Sequence, residues 1–422
     1  MLVAAPGTLR APMHAVLVVA LVLSAASVAE VVAWALFAVR AWKEWRRSTF
    51  VREGLEGPPV ELPPLTVVIP AHNEQRVAAA CARSVLASDY PSLELVFVLD
   101  RCTDGTRAAL EPIAAADPRL VIVDNGSCPD GWAGKCNAAR VGAGRARGGM
   151  VLFADADTRF HPALLRAAVT LLVRGRLAML SLWSTPTQEL WFERLVQPVT
   201  ALVMLKLFPM RRIDGRLRRR PFANGQFMLF DRAAYDAFGG HAAVRDDLLE
   251  DLAFARGMDR RGMRVESAIA DGMLAVSMYD RWPAFRAGWK RILVESCSRS
   301  PRRLRAQALQ LGSVALALPA ARLASAALAA AALAWGSPEA IDDGARVLAW
   351  CAIAAAGVAT VARAAVLVGV YRLGGFPPWA GLLFAPAAAA VVSIFLEGAR
   401  DLRARVPVRW GGREYVLEPR EP

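Results

Sequence analysis

Gly148-Gly149-Met150-Val151-Leu152-Phe153-Ala154-Asp155-Ala156-Asp157-Thr158-Arg159-Phe160 is the stretch from which the rest of the chain is best read. An unbroken apolar run, Met150 to Ala154, ends in Asp155-Ala156-Asp157, the pattern of a buried strand that delivers two carboxylates to its C-terminal edge. Residues i and i+2 of an extended segment point to one side, so both acids could face one hard cation or one metal-bound diphosphate. Ligands of open α/β sheets bind at that edge. The competing reading makes Asp157 or Thr158 the cap of a helix starting near Pro162.

Working outward, Leu65-Thr66-Val67-Val68-Ile69-Pro70 is a β-branched run stopped by proline, followed by a helical stretch expected from Glu74 to Ala87. A second strand, Leu93 to Leu99, ends at Asp100, and a third, Leu120 to Val123, ends at Asp124. Strand and helix alternate at the spacing of a mostly parallel, doubly wound α/β sheet, with acidic residues at successive strand tips. Glu53 to Pro64, rich in Pro, Gly and Glu, reads as a linker into this domain.

The hydrophobic fraction of 55% is high for a purely soluble chain of 422 residues. It concentrates in His14 to Val39 and in three Ala/Leu/Val-rich segments, Leu311 to Trp335, Val347 to Tyr371 and Phe376 to Leu396, all long enough to span a bilayer. The first segment is longer than the core of a cleaved signal and reads as an anchor. Its basic flank of Arg40, Lys43, Arg46 and Arg47 places the α/β domain in the cytoplasm, at a cell inner membrane. Three further crossings would put the C-terminus outside, yet the tail carries Arg400, Arg403, Arg405, Arg409 and Arg413. Pro377, Pro378 and Pro386 make the last segment the one expected to break or re-enter. Glu30, Arg322 and Arg363 fall within these segments, and the cost of a lone charge at membrane depth predicts that Glu30 meets one of the two arginines.

A net charge of +13 admits nucleic acid as a partner, but the arginines adjoin apolar segments and are not interleaved with aromatics, which favours anionic lipid headgroups. The six cysteines form no Cys-x-x-Cys pair and no zinc spacing, so they are expected as reduced thiols. Leu195 to Pro209 is apolar but too short to span, and a run from Arg211 to Arg220 comes after it. A helix lying in the membrane interface and a core helix followed by a solvated basic loop both fit.

Pro70-Ala71-His72-Asn73-Glu74, Asp100, Asp155-Ala156-Asp157 and Glu250-Asp251 form four ordered acidic stations. In this order and spacing they resemble the family 2 inverting glycosyltransferases, whose GT-A domain binds nucleotide sugars; the resemblance covers 65–289. Ala223-Asn224-Gly225-Gln226-Phe227, Gly239-Gly240-His241 and the tail Val408-Arg409-Trp410-Gly411-Gly412-Arg413-Glu414-Tyr415 are similar to the lipid-modifying branch, which includes ceramide glucosyltransferases and hopanoid- and carotenoid-associated enzymes. The resemblance implies that Glu74 and Asp100 hold the uridine of the donor, that Pro70 and Asn73 also contact the donor, and that Asp155 contacts donor as well as metal; from the residues alone, Glu74 and Asp100 could instead cap turns. It implies Asp251, with Glu250 beside it, as the base that inversion requires, whereas the sequence pattern alone also allows two ordinary first-turn acids. Asp155 and Asp157 would hold Mg²⁺ or Mn²⁺, since oxygen-only ligands disfavour zinc.

Gly131-Trp132-Ala133-Gly134-Lys135 before a helix could bring N–H groups and a cation to the diphosphate, or Lys135 could be a surface lysine. The Gln-x-x-Arg-Trp motif of processive synthases is altered to Asp280-Arg281-Trp282, followed by Trp289, Lys290 and Arg291. Gly225, Gln226, Arg281, Trp282, Trp289 and Arg291 are the candidates for closing over the acceptor; the alternative for the last four is a basic amphipathic helix at the membrane surface.

The expected organisation is an anchor over 1–40, a basic juxtamembrane linker over 41–64, a cytoplasmic GT-A domain over 65–300, a membrane block over 301–398 and a basic cytoplasmic tail over 399–422. The expected activity is transfer of one sugar from a nucleotide donor, UDP-linked, to a hydroxyl of a membrane lipid, without nucleic acid. The rivals are a processive polysaccharide synthase, which the altered motif and the small block disfavour, and a membrane transport or scaffold protein that only binds nucleotide, which the intact acids disfavour.

Overall fold

Seven strands set the frame. In the computed structural model, which describes residues 10–208, 221–335, 343–410 and 413–420, these are β1 (Leu65–Ala71), β2 (Leu93–Asp100), β3 (Leu120–Asn125), β4 (Met150–Phe153), β6 (Met179–Trp183), β8 (Met228–Asp231) and β9 (Val265–Ile269). They lie in the order β3-β2-β1-β4-β8-β6-β9. β1 pairs in parallel with β2 and β4, and β2 with β3; β8 alone is antiparallel to its neighbours β4 and β6. β1, β2 and β4 are buried on both faces, so their sequences are continuous apolar runs and not alternating ones.

From β1 the chain moves to β2 and β3 on one side and then returns to add β4 on the other. The C-terminal ends of β1 and β4 therefore splay apart next to each other, the switch point where ligands of doubly wound sheets bind. Because β8 runs antiparallel, its beginning lies at this same edge: Met228 stands opposite Phe153. The helix Gly134–Arg145 covers β1 and β2 closely; a Cβ on Gly142 would overlap the Val68 side chain. A small sheet of β5 (Thr158–Phe160), β10 (Leu274–Val276) and β7 (Thr185–Pro186) walls the edge.

Several local expectations are corrected. β4 stops at Phe153, so Asp155 and Asp157 lie in the turn between β4 and β5 and not on an extended segment. Thr158 opens β5, its hydroxyl donating to Asp155 O at 2.6 Å, and caps no helix. The helix expected from Glu74 starts at Ala78, because Asn73 adopts φ +58° and the Gln75 N–H is held by Asp104 Oδ2 at 3.1 Å. The linker is docked at its start: Val51–Leu55 forms a 3₁₀ turn, and a Cβ on Gly54 would overlap the Ala167 carbonyl. No disulfide joins the six cysteines.

Among the described residues, four helical stretches are long and apolar enough to cross a membrane: Ala25–Arg47, Pro301–Ala334, Asp343–Leu373 and Pro378–Arg403. Glu30 meets both arginines, with Arg322 Nη1 at 2.6 Å and Arg363 Nη1 at 3.8 Å, and its Oε1 also accepts from Trp34 Nε1 at 3.3 Å. The last stretch leaves from and returns to the α/β domain. Gly375 O accepts from Gln188 Nε2 at 2.6 Å; the chain then runs back along Leu367 at Gly381 and packs Phe384 on Trp34. Arg363, against which Phe384 also lies, is ten residues from the helix end at Leu373, about 15 Å along the axis. By Glu397 and Asp401 the chain is paired with Lys290 of the domain at 2.7 and 2.6 Å.

The segment after Leu195 forms the helix Gln197–Leu207, whose Val199, Val203, Met204 and Leu207 are buried in one core with Trp289 and Leu293. Of the two expectations for it, core packing describes that face. The arginines from Arg211 to Arg220 and the glycines Gly411 and Gly412 lie outside the described residues.

Candidate active site

The sheet edge opens into a cavity of about 880 Å³. Successive elements deliver their side chains to it. β1 carries Pro70 next to its last residue and hands on Glu74; β2 ends in Asp100; the turn after β4 carries Asp155 and Asp157; the chain entering β8 carries Gly225 and Gln226; the helix Glu250–Arg260 begins with Glu250 and Asp251; the helix Trp282–Ser296 adds Trp289 and Arg291. Lys135, in the first turn of its helix, enters from the opposite wall.

Lys135 is the electrostatic centre. Its Nζ lies 2.8 Å from Asp155 Oδ1 and 2.7 Å from Glu250 Oε1. Burial would by itself lower its pKa, but the charges of Asp155 and Glu250 outweigh that and hold the ammonium above its ordinary value. Burial likewise pushes Glu250 up, and Lys135 more than reverses the effect, so Glu250 stays ionised. The surface-lysine alternative is thereby excluded.

Asp251 Oδ2 accepts from the Gly225 N–H at 2.8 Å and Oδ1 from the Leu252 N–H at 2.7 Å. Burial first, then the neighbouring charge of Glu250, raises its pKa to about 7, against the opposing pull of Lys135. Gly225 has little room for a side chain: a Cβ there would lie 2.8 Å from Lys135 Nζ. Glu74 is raised to about 7 by burial and by the charges of Asp155 and Asp104.

Asp157 is pushed well above the carboxylate range by burial and then by Asp155 and Glu74. Its Oδ1 is buried without a hydrogen-bond partner among the described residues. An orphaned carboxylate oxygen beside two further carboxylates, all oxygen donors, fits a hard divalent cation. Among the described residues, no group of three His, Cys, Asp or Glu side chains is placed to hold a metal ion by itself.

Asp100 is nearly fully buried and already engaged, accepting from Arg101 Nη2 at 2.6 Å and Asn125 Nδ2 at 2.9 Å. Arg101 and Asn125 carry no motif of their own and were missed from sequence. Trp183 was missed too. It ends β6 at the same edge, stacks on Phe222 at 3.9 Å, and buries an indole N–H that, like that of Trp289, has no partner among the described residues. A tryptophan at a strand tip was the available signal.

Three expected residues stand outside the cavity. Asn73 is exposed and holds a neighbouring loop through the Thr103 N–H, 2.8 Å from its Oδ1. Arg281 is largely exposed, 3.9 Å from Asp280. Trp282 lies in an aromatic cluster with Trp191 and Phe285. The helix turns Trp289 and Arg291 inward instead, and Arg291 Nη1 donates to Leu248 O at 3.0 Å.

This geometry is matched by family membership: residues 63–274, just over half the chain, match the family model described as "Glycosyltransferase like family 2". The chain belongs to that family. A 4,4'-diaponeurosporenoate glycosyltransferase of Staphylococcus aureus (strain MRSA252) is 25% identical over 261 residues, which are 60% of this chain and 67% of the relative. Among solved structures, the mannosyltransferase PcManGT from Pyrobaculum calidifontis, in complex with GDP-Man and Mn²⁺, is 22% identical with a TM-score of 0.46, covering 80% of this chain and 98% of that one. S. aureus TarS 1-349 in complex with UDP-GlcNAc is 12% identical with a TM-score of 0.38, covering 84% of this glycosyltransferase and 96% of that chain.

Proposed function

We propose that this glycosyltransferase is membrane-bound, metal-dependent and inverting, and moves a single sugar from a nucleotide donor, UDP-linked, to a hydroxyl of a membrane lipid. The observation that carries the reading is Asp251: a carboxylate poised near pH 7 in the same cavity as the Asp155–Asp157 turn. In the proposed step Asp251 takes the acceptor hydroxyl's proton as its oxygen attacks the anomeric carbon, and the sugar–diphosphate bond breaks from the opposite face. Lys135 keeps Glu250 ionised and stands beside Asp155, where negative charge develops on the leaving group. Asp155 and Asp157 would hold Mg²⁺ or Mn²⁺, which when bound neutralises the diphosphate. Trp183 and Trp289 offer N–H donors to the sugar or acceptor.

A carotenoid glycosyltransferase among the relatives and the long apolar helices support a lipid acceptor. The reading sets the α/β domain on the cytoplasmic side of an inner membrane. A last segment that dips and returns puts the basic tail on the same side as Arg40, Lys43, Arg46 and Arg47, which removes the conflict in the positive-inside rule.

The test uses purified protein in lipid vesicles with radiolabelled donor. The product should partition into organic solvent carrying one sugar. A water-soluble ladder of oligomers would establish the processive rival.

A further inference from the structure

The catalytic cavity continues beyond the α/β domain. Trp45, Ala201, Leu205, Leu373, Gly374 and Phe376 border both it and a second, apolar cavity of about 210 Å³. This second space is a groove between three helices: the end of Arg10–Arg47 with Phe37 and Ala41, the face of Gln197–Leu207 that carries Pro198 and Leu202, and the end of Asp343–Leu373 with Val370 and Tyr371. Phe37 and Leu373 are each more than a third exposed, on helices apolar enough to cross a membrane, so the groove adjoins the lipid-facing surface.

Of its charged residues, Arg40 Nε lies 3.1 Å from Glu44 Oε1, and Lys206 Nζ donates to the neutral amides of Gln307, at 2.7 Å, and Gln310. The rest of the lining is apolar apart from Tyr371, which is 1% exposed and whose hydroxyl has no hydrogen-bond partner among the described residues. Such a hydroxyl next to an apolar slot suits an amphiphile with one polar end.

We propose that this groove admits the apolar chain of the acceptor sideways from the bilayer, with Tyr371 serving the polar end on its way into the catalytic cavity. The inference rests on the glycosyl-transfer reading and deepens it: the acceptor is an amphiphile whose apolar tail stays in lipid while its head reaches Asp251. Continuity of the groove with the acid cluster decides the occupant, since a soluble acceptor would enter through the open side of the α/β domain and have no use for an apolar passage between membrane-length helices. Ala41 and Gly374 keep the slot open where the helices approach.

The experiment uses the full chain in phosphatidylcholine vesicles and hexadecanol bearing a terminal diazirine as the probe. Photolysis should label peptides containing Phe37–Trp45, Pro198–Leu205 or Val370–Phe376, and Ala41→Phe should cut that labelling at least tenfold. If Ala41→Phe does not fold, Ala41→Leu should give a smaller loss in the same direction. UDP binding in the presence of Mn²⁺, titrated separately, should be the same in both proteins. Labelling spread over all membrane helices, or unaffected by either variant, overturns the groove. Failure of the wild-type protein to bind any nucleotide overturns the glycosyl-transfer reading, whatever the labelling shows.

Discussion

Replacing Asp251 with Asn removes the proposed base while keeping a side chain of the same size. Its Oδ1 can still accept one of the two N–H groups, of Gly225 or Leu252, that the carboxylate accepts now. General-base catalysis is worth about two to four orders of magnitude in rate, or roughly 3 to 5.5 kcal/mol at about 1.4 kcal/mol per tenfold. Turnover should fall by that factor while donor affinity, measured by calorimetry with a nucleotide sugar, stays within about twofold. The pH profile adds an independent check. Asp251 ionises near pH 7, and only the ionised form accepts a proton, so kcat/KM should rise with pH up to about 7 and then level off. Glu250→Gln removes the like charge that helps to hold Asp251 up and frees Lys135 to attract it. Both effects lower the Asp251 pKa, so the acidic limb should move to lower pH. A loss under tenfold in Asp251→Asn, or an acidic limb that stays put in Glu250→Gln, would refute the assignment.

Asp157→Asn should abolish transfer and Mn²⁺ binding to the donor-loaded protein, measured by calorimetry. Full activity of the variant, or full wild-type activity in EDTA, would count against the metal reading. Gly225→Ala should displace Lys135 from Glu250 and lower kcat by up to about a hundredfold in a protein that melts normally, because misplacement by about 1 Å can cost that much. A wild-type rate would show that the contact yields cheaply. Arg322→Met should destabilise the membrane block by about 3–5 kcal/mol by uncovering Glu30, and Glu30→Met in the same chain should restore most of it, measured by thermal unfolding in detergent. A double variant as unstable as the single one would mean that Arg363 or packing dominates.

Much of the sheet was legible because strands buried on both faces must be continuously apolar. β1, β2 and β4 announce themselves by composition. The membrane helices were legible for the same reason of length and hydropathy. Neither signal says where a chain turns back. The return of the last segment to the α/β domain depends on Gly381 packing against Leu367 and on Glu397 and Asp401 finding Lys290, the latter contacts between residues far apart in the chain.

The candidate site divides along a similar line. Glu74, Asp100, Asp155 and Asp157 come after parallel strands, and a parallel strand carries its tip to the binding edge by rule, so their approach could be read from order alone. The sequence by itself also determined the pairing of Glu30 with an arginine, because no unpaired charge is tolerated at that depth. Only the tertiary structure decided that β8 runs backwards and presents Gly225 to Asp251. The same holds for Lys135 lying between Asp155 and Glu250 instead of in solvent, and for the helix Trp282–Ser296 turning Trp289 and Arg291 inward while Arg281 and Trp282 face away. The physical reason is that burial and mutual charge belong to the assembled cavity: the pKa of about 7 on Asp251 comes from desolvation and from Glu250, which act only when strands and helices distant in sequence close around both.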